Sequence, residues 1–281
     1  MTGATGYVGG RLVPRLLDEG HEVRTTTHDP SKEGPWFSDR VETVEMDIKD
    51  ADQVDAAIEG VDAVYYLIHG MGGGDDFAQK DREAAQHVAR ALTKHGTERV
   101  VYLSGIVPPV DEDELSEHIS SRLQVEEILS STPATAITLR AAVLMGSGST
   151  SFEIIRQVSE RMPLQTVPTW MNSDVQPIAV VDAIEALVGA LSAEVGTRSY
   201  DIGGPDRVPY AELLDRYAPS RAWSAPRWRC PSCPPTSWGP WPAASPTCPR
   251  PPWRPWSRAC TTTWSAPRRT SAATCCRRGM R

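Results

Sequence analysis

From Val8 to about Tyr217 the chain alternates short β-branched runs with longer stretches whose apolar residues recur three and four positions apart. The runs Glu22 to Thr27, Val41 to Glu45, Ala63 to Ile68, Arg99 to Ser104 and Ala136 to Arg140 predict strands. Val8 to Glu19, Ala51 to Ile58, Asp76 to His95 and Glu114 to Leu129 predict helices between them. Later, Phe152 to Arg161 and Val180 to Leu191 read as helices, Ser199 to Ile202 as a strand, and a short helix opens at Pro209. Strand and helix in alternation make a parallel sheet with crossover helices, so the predicted class is α/β, a Rossmann-type doubly wound parallel sheet followed by a smaller, less regular portion.

No period continues beyond Tyr217. From Pro219 to Arg281, 63 residues include no Val, Ile, Leu, Phe, Tyr, Asp, Glu or Lys, yet they hold all six Cys and seven of the nine Trp. Cys230-Pro-Ser-Cys233 is the one Cys-x-x-Cys spacing and no His accompanies it, so a zinc module or disulfide framework is poorly served. A Pro- and Arg-rich disordered tail would normally be poor in Trp and Cys. Out-of-frame translation of GC-rich coding DNA accounts for Pro, Arg, Ala, Trp, Cys and Thr together, and the composition favours it. Without aliphatic side chains the segment cannot offset the roughly 1–2 kcal/mol per residue that ordering a backbone costs. A disordered, extended tail is expected, without a metal site and with little contact to the rest.

The tail also distorts the charge. The whole chain carries −7, but eleven of its 29 basic residues and none of its 36 acidic ones lie in the tail, leaving the rest at −18. A body this acidic excludes nucleic acid as the expected partner. No apolar run reaches membrane-spanning length and no secretory pattern opens the chain, so no membrane partner and a cytoplasmic location are expected.

The candidate chemistry begins at the front. Gly3, Gly6 and Gly9, with Thr5, Tyr7 and Val8 between them, precede a helix. Gly3 permits a tight exit from a strand, Gly6 lets the backbone approach phosphate, and Gly9 lets the helix pack close. The helix N-terminus then offers free N–H groups to a pyrophosphate. Only Met1 and Thr2 precede Gly3, so most of the first strand that such a turn follows is missing, as from a start codon placed too late. Thr25-Thr26-Thr27-His28, ending the next strand, contains no acid before Asp29. An acid there would bond the ribose 2′-hydroxyl of NAD, so NADP is favoured, with NAD possible. His28, Arg24 and Lys32 are candidate partners for a 2′-phosphate or else solvated surface residues, and Asp47-Ile48 can flank adenine.

With these features the chain resembles the atypical short-chain dehydrogenase/reductase superfamily, and within it the NmrA-like and epimerase-like NAD(P)-binding proteins. The resemblance rests on the order of Thr2 to Gly10, Met46 to Asp50, Tyr65 to Gly72, Val100 to Pro108, Leu139 to Ser149 and Gln176 to Asp182, and covers nearly all of residues 1–217. It implies that Leu67, His69 and Ala142 border the cofactor. His69 opens a Gly-rich loop and is as readily a loop residue without a role. Catalytic members carry a Ser at the end of the fifth strand, matched by Ser104, and a Tyr-x-x-x-Lys on the next helix. Here that helix offers His118-Ile119-Ser120-Ser121-Arg122 at the same spacing with both residues changed. His118 could act as an acid near neutral pH and Arg122 could anchor ribose hydroxyls, although Arg cannot titrate as a proton relay. A solvated His and Arg on a helix face is the plain alternative.

The expected divisions are residues 1–145 for the NAD(P)-binding domain, 146–218 for a substrate-cleft portion and 219–281 for the tail. Two functions fit. One is an oxidoreductase acting on a small carbonyl, alcohol or sugar nucleotide. The other is a non-catalytic regulator that senses NADP(H) and signals to a protein partner.

Overall fold

The computed structural model describes residues 1–29, 36–68, 77–111, 115–161, 165–167, 173–217 and 227–229. They fall in one unit, Met1–Pro235; Thr236–Arg281 forms a second unit and lies outside the described residues.

The strands β3 (Ala63–Tyr66), β4 (Arg99–Gly105), β5 (Thr135–Ala141) and β10 (Arg198–Ile202) lie parallel in the order β10-β5-β4-β3. A second parallel pair joins β1 (Arg24–Thr27) to β2 (Glu42–Glu45). The central strands are apolar on both faces because helices cover both. On one face α2 (Ala51–Ile58), α3 (Phe77–His95) and α4 (Glu117–Ser130) enclose Tyr66, Val100 and Tyr102. On the other, α1 (Gly9–Asp18) and α6 (Val180–Ser192) cover Tyr65, Val101, Ile137 and Leu139. The neighbours Tyr65 and Tyr66 go to opposite faces, as period two requires.

Local sequence fixes the helix ends. Asp50 caps α2 by accepting from the N–H groups of Asp52 (3.0 Å) and Gln53 (3.2 Å), and Gly60 follows that helix at φ 72°. Ser116 caps α4 by accepting from the N–H of Ile119 at 3.4 Å. The last central strands are tied by charge: Arg140 on β5 donates twice to Glu126 on α4, at 2.7 and 3.0 Å, and Ser199 on β10 donates to the same carboxylate.

The predicted elements are all present, Ala51–Ile58 with its ends unchanged and the others with shifted ends. β3 stops at Tyr66 because Leu67 donates its N–H to the Thr2 hydroxyl (3.1 Å), and β1 begins at Arg24, where Met1 first pairs with it. Asp76 and Glu114, expected to open two helices, lie outside the described residues. The remaining strands are too short to show a period. β6 (Leu144–Met145) pairs with β9 (Ile178–Ala179), and β8 (Asp174–Val175) runs antiparallel to β11 (Val208–Pro209). Beside them, α5 (Thr150–Arg161) and α7 (Tyr210–Tyr217) share a small core of Ile155, Val208 and Leu213.

One expectation for the tail needs correction. β12 (Arg227–Arg229) pairs in parallel with β7 (Gln165–Val167), so this piece is not unpaired coil. It fits between Pro226 and Pro231, in one of the stretches where every residue keeps its N–H. The other tail residues lie outside the described ones.

Among the described glycines, Gly9 has the least room for a side chain. A Cβ on Gly9 would lie 2.2 Å from the Gly3 carbonyl oxygen and 2.7 Å from the Ala4 Cα, both backbone atoms. Gly9→Ala is therefore expected to cost about 2–3 kcal/mol of stability through overpacking. A urea-denaturation midpoint equal to that of the unaltered protein would contradict this packing.

Candidate functional site

Every strand of the parallel sheet delivers its following residue to the same carboxyl edge, where ligands sit in open α/β sheets. Gly3, Leu67 and Ala142 follow Thr2, β3 and β5 there, beside Gly105, which ends β4.

Gly3 adopts φ 71°, and a Cβ there would lie 3.1 Å from the Leu67 carbonyl oxygen, so the turn rests directly on the end of β3. Gly6 closes the turn by donating its N–H to the Gly3 oxygen at 3.0 Å. Thr5 and Gly6 are exposed, while Ala4 beside them is buried. Helix α1 then starts with no side-chain cap at Val8; Gly10 donates its N–H to the Gly6 carbonyl (2.9 Å) and Arg11 to that of Val8 (3.0 Å), while the N–H groups of Tyr7, Val8 and Gly9 have no hydrogen-bond partner among the described residues. An uncapped helix start behind an open glycine fits a pyrophosphate, whose oxygens would take those hydrogen bonds.

Tyr7 fastens this turn to the loop after β6. Arg11 stacks on the Tyr7 ring at 4.1 Å and donates to the carbonyls of Tyr7 (3.0 Å) and Ser147 (2.9 Å). A side chain on Gly146 would meet the Tyr7 hydroxyl at 2.5 Å. That hydroxyl is buried without a hydrogen-bond partner among the described residues.

A second cluster forms where β4 meets α3 and α4. Ser104 is buried and shares a strand face with Tyr102, two residues earlier. Burial pushes the Tyr102 phenol up to about 12, against the lowering influence of Ser104 and Arg122. Arg122 lies across the end of β4, its Nη1 placed 3.4 Å from where a Gly105 Cβ would be, and its Nε is buried without a partner among the described residues. His118, one turn earlier on α4, has its ring 6.4 Å from that of Phe77. Burial first, and the Arg122 charge second, hold its imidazole below the ordinary 6.5, with Asp81 opposing. The lowering favours the uncharged ring, which is suited to accept a proton. Tyr102 was missed by sequence reasoning, although period two on β4 places it beside Ser104.

A family model described as NAD(P)H-binding matches residues 3–168, more than half of the sequence. The chain belongs to the NAD(P)H-binding family. Its expected likeness to short-chain dehydrogenase/reductase proteins holds as well. It is 33% identical over 114 residues to a 3β-hydroxysteroid dehydrogenase/Δ5→4-isomerase of Mycobacterium tuberculosis, covering 37% of this chain and 30% of that one. It is 29% identical over 111 residues to cinnamoyl-CoA reductase 1 of Oryza sativa, covering 37% and 33%. The chain thus spans about a third of the length of these relatives. Among solved structures, MoeE5 with UDP-glucuronic acid and NAD matches with TM-score 0.65 at 19% identity over 82% of this chain and 84% of that one. A UDP-N-acetylglucosamine 4-epimerase from Bacillus cereus matches with TM-score 0.64 at 19% identity over 82% and 83%. Both likenesses are of fold.

Other candidate residues of this NAD(P)H-binding protein are placed less uniformly. His28 is exposed immediately after β1, at the carboxyl edge. Arg24 is at the opposite end of that strand, where it pairs with Glu42 (2.7 Å) and donates to the carbonyls of Ala57 (3.1 Å) and Glu59 (2.7 Å), so it is not a 2′-phosphate ligand. Asp47 accepts from the Lys49 N–H at 3.0 Å, and Val8 packs against the core beneath α1. Ile48 is buried in the core and its carbonyl is bonded to His87 at 3.0 Å. His69 and Lys32 lie outside the described residues. Among the described residues no His, Cys, Asp or Glu cluster could hold a metal, and no helix is long and apolar enough to cross a membrane.

If the His118 imidazole accepts a proton in turnover, alcohol oxidation should rise with pH through a midpoint below 6.5 and stay level above it, since the neutral ring is the active form. His118→Ala should lower kcat about 100-fold and remove that midpoint with cofactor affinity little changed. Arg122→Ala should weaken cofactor binding as well. Small, equal effects of both substitutions on kcat and affinity would return this helix face to a structural role.

Proposed function

We propose that this chain is an NADP(H)-dependent oxidoreductase interconverting a small alcohol and carbonyl, sugar nucleotides included. The observation that carries the reading is the uncapped Gly3–Gly9 turn opening on the same sheet edge as the His118–Arg122 pair. When bound, the nicotinamide takes up or supplies a hydride. The chain's own residues do the rest.

Backbone N–H groups at the start of α1 hold the pyrophosphate, with Gly6 leaving room for it. Arg122 bonds ribose hydroxyls through a guanidinium whose Nε has no protein partner among the described residues. His118 takes the proton of the substrate hydroxyl as hydride departs, and returns it in the reverse direction. Ser104, held by Tyr102, orients the substrate oxygen. The dehydrogenase and reductase names of the sequence relatives support redox chemistry, and the sugar nucleotide bound by MoeE5 supports including that substrate class. We also place the protein in the cytoplasm with a small molecule, not a nucleic acid, as its partner, in keeping with its acidic body.

The preference for NADP rests on the acid-free end of β1 and the exposed His28 beyond it. Fluorescence titration with all four nicotinamide cofactors should give at least tenfold tighter binding for NADPH and NADP than for NADH and NAD, about 1.4 kcal/mol. Gly6→Val should abolish binding of all four while near-ultraviolet circular dichroism stays native. Tighter binding of NADH would contradict the preference, and normal binding by Gly6→Val would overturn the phosphate site. Turnover of a carbonyl panel with NADPH supports the enzyme, whereas tight binding without turnover removes it.

A further inference from the structure

One side chain joins the start of α1 to the turn that leads into α5. Arg11, in the first turn of α1, donates through Nη1 to the carbonyl of Tyr7 (3.0 Å) and through Nη2 to that of Ser147 (2.9 Å), 136 residues later. Its guanidinium lies over the Tyr7 ring, 4.1 Å from the centroid. The far side of the contact is shaped to receive that ring. A Cβ on Gly146 would lie 2.5 Å from the Tyr7 hydroxyl and 2.7 Å from the Val180 Cγ1, so Gly146 is closed in between the glycine turn and the start of α6. A Cβ on Gly148 would lie 3.7 Å from the Tyr7 Cε2 and 4.0 Å from the Arg11 Nη2.

Residues 146–149 pass this constraint onward. Ser149 donates its N–H to the Gly146 carbonyl (3.1 Å) and its hydroxyl to the Leu144 carbonyl (2.7 Å). The same hydroxyl accepts from the Phe152 N–H (3.4 Å), and the Ser149 carbonyl accepts from the Glu153 N–H (2.8 Å). Ser149 is thus both the end of the turn and the cap of α5. Helix α5 in turn shares the core of Ile155, Val208 and Leu213 with α7, in the portion beyond the sheet. A displacement of Tyr7 is therefore felt at α5 through one close contact and one helix cap.

We propose that Arg11 and Tyr7 are positioning residues that couple occupancy of the glycine turn to the placement of residues 146–149 and helix α5. The inference rests on the pyrophosphate reading of that turn. Pyrophosphate oxygens bonded to the N–H groups of Tyr7, Val8 and Gly9 fix the Tyr7 peptide. The ring and carbonyl of the same residue hold Arg11, and Arg11 holds Ser147. The coupling is reciprocal: the factor by which bound cofactor favours the seated 146–149 turn is the factor by which the seated turn favours cofactor.

The test measures amide hydrogen exchange of the full chain with and without saturating NADPH, together with the Kd for NADPH, in the unaltered protein, Arg11→Met and Gly146→Ala. In the unaltered protein NADPH should slow exchange of the Ser149 and Glu153 amides about tenfold. Arg11→Met removes both donors at an exposed position; that slowing should vanish while Tyr7, Val8 and Gly9 stay protected, and Kd should rise about tenfold. Gly146→Ala unseats the contact from its other side and should raise Kd to a similar extent. The double variant should bind no more weakly than the weaker single one, because both substitutions break the same linkage. Weaker binding by Arg11→Met with Ser149 and Glu153 still slowed tenfold would overturn the proposal, since Arg11 would then act on the phosphates by charge alone. Protection at Tyr7 to Gly9 without any change at Ser149 and Glu153 in the unaltered protein would overturn it and leave the pyrophosphate reading standing. No protection at Tyr7 to Gly9 would overturn both.

Discussion

The candidate site depends on the absence of one methyl group. Helix α1 can start directly behind the Gly3–Gly6 turn only because Gly9 has no Cβ to strike the Gly3 carbonyl and the Ala4 backbone, both immovable parts of the main chain. That contact aims the start of α1 at the space over Gly6. It also seats Gly3 on Leu67, and through the Thr2 hydroxyl the turn is tied to β3. The pyrophosphate subsite, the end of β3 and the core beneath α1 are thus one mechanical unit.

The second cluster obeys electrostatics instead. A half-buried imidazole and a permanent guanidinium occupy one helix face, and burial first, then the Arg122 charge, disfavour protonation of His118. A phenol in place of the imidazole would need a lowered pKa to accept a proton, whereas Tyr102, the phenol nearest Ser104, has the opposite shift because it is buried. Of these two groups, the imidazole is the one whose shift suits it to accept a proton.

Much of the fold was legible because a parallel sheet covered on both faces writes itself as apolar runs separated by capped helices. Ala51–Ile58 was placed residue for residue, since Asp50 caps it and a glycine follows it. The glycine turn was legible because its residues are irreplaceable. The two- and three-residue strands were not, having no room for a period. Arg24 misled because a base near the end of a short strand can serve either end, and only the pairing with Glu42 and two carbonyls settles which.

The central claim is that the start of α1 binds the pyrophosphate of the cofactor through main-chain N–H groups. Hydrogen exchange of individual amides, measured with and without saturating NADPH, tests it most directly. The account predicts strong protection at Tyr7, Val8 and Gly9, greater than anywhere else in the chain. Saturable binding that leaves these three amides unprotected would contradict it.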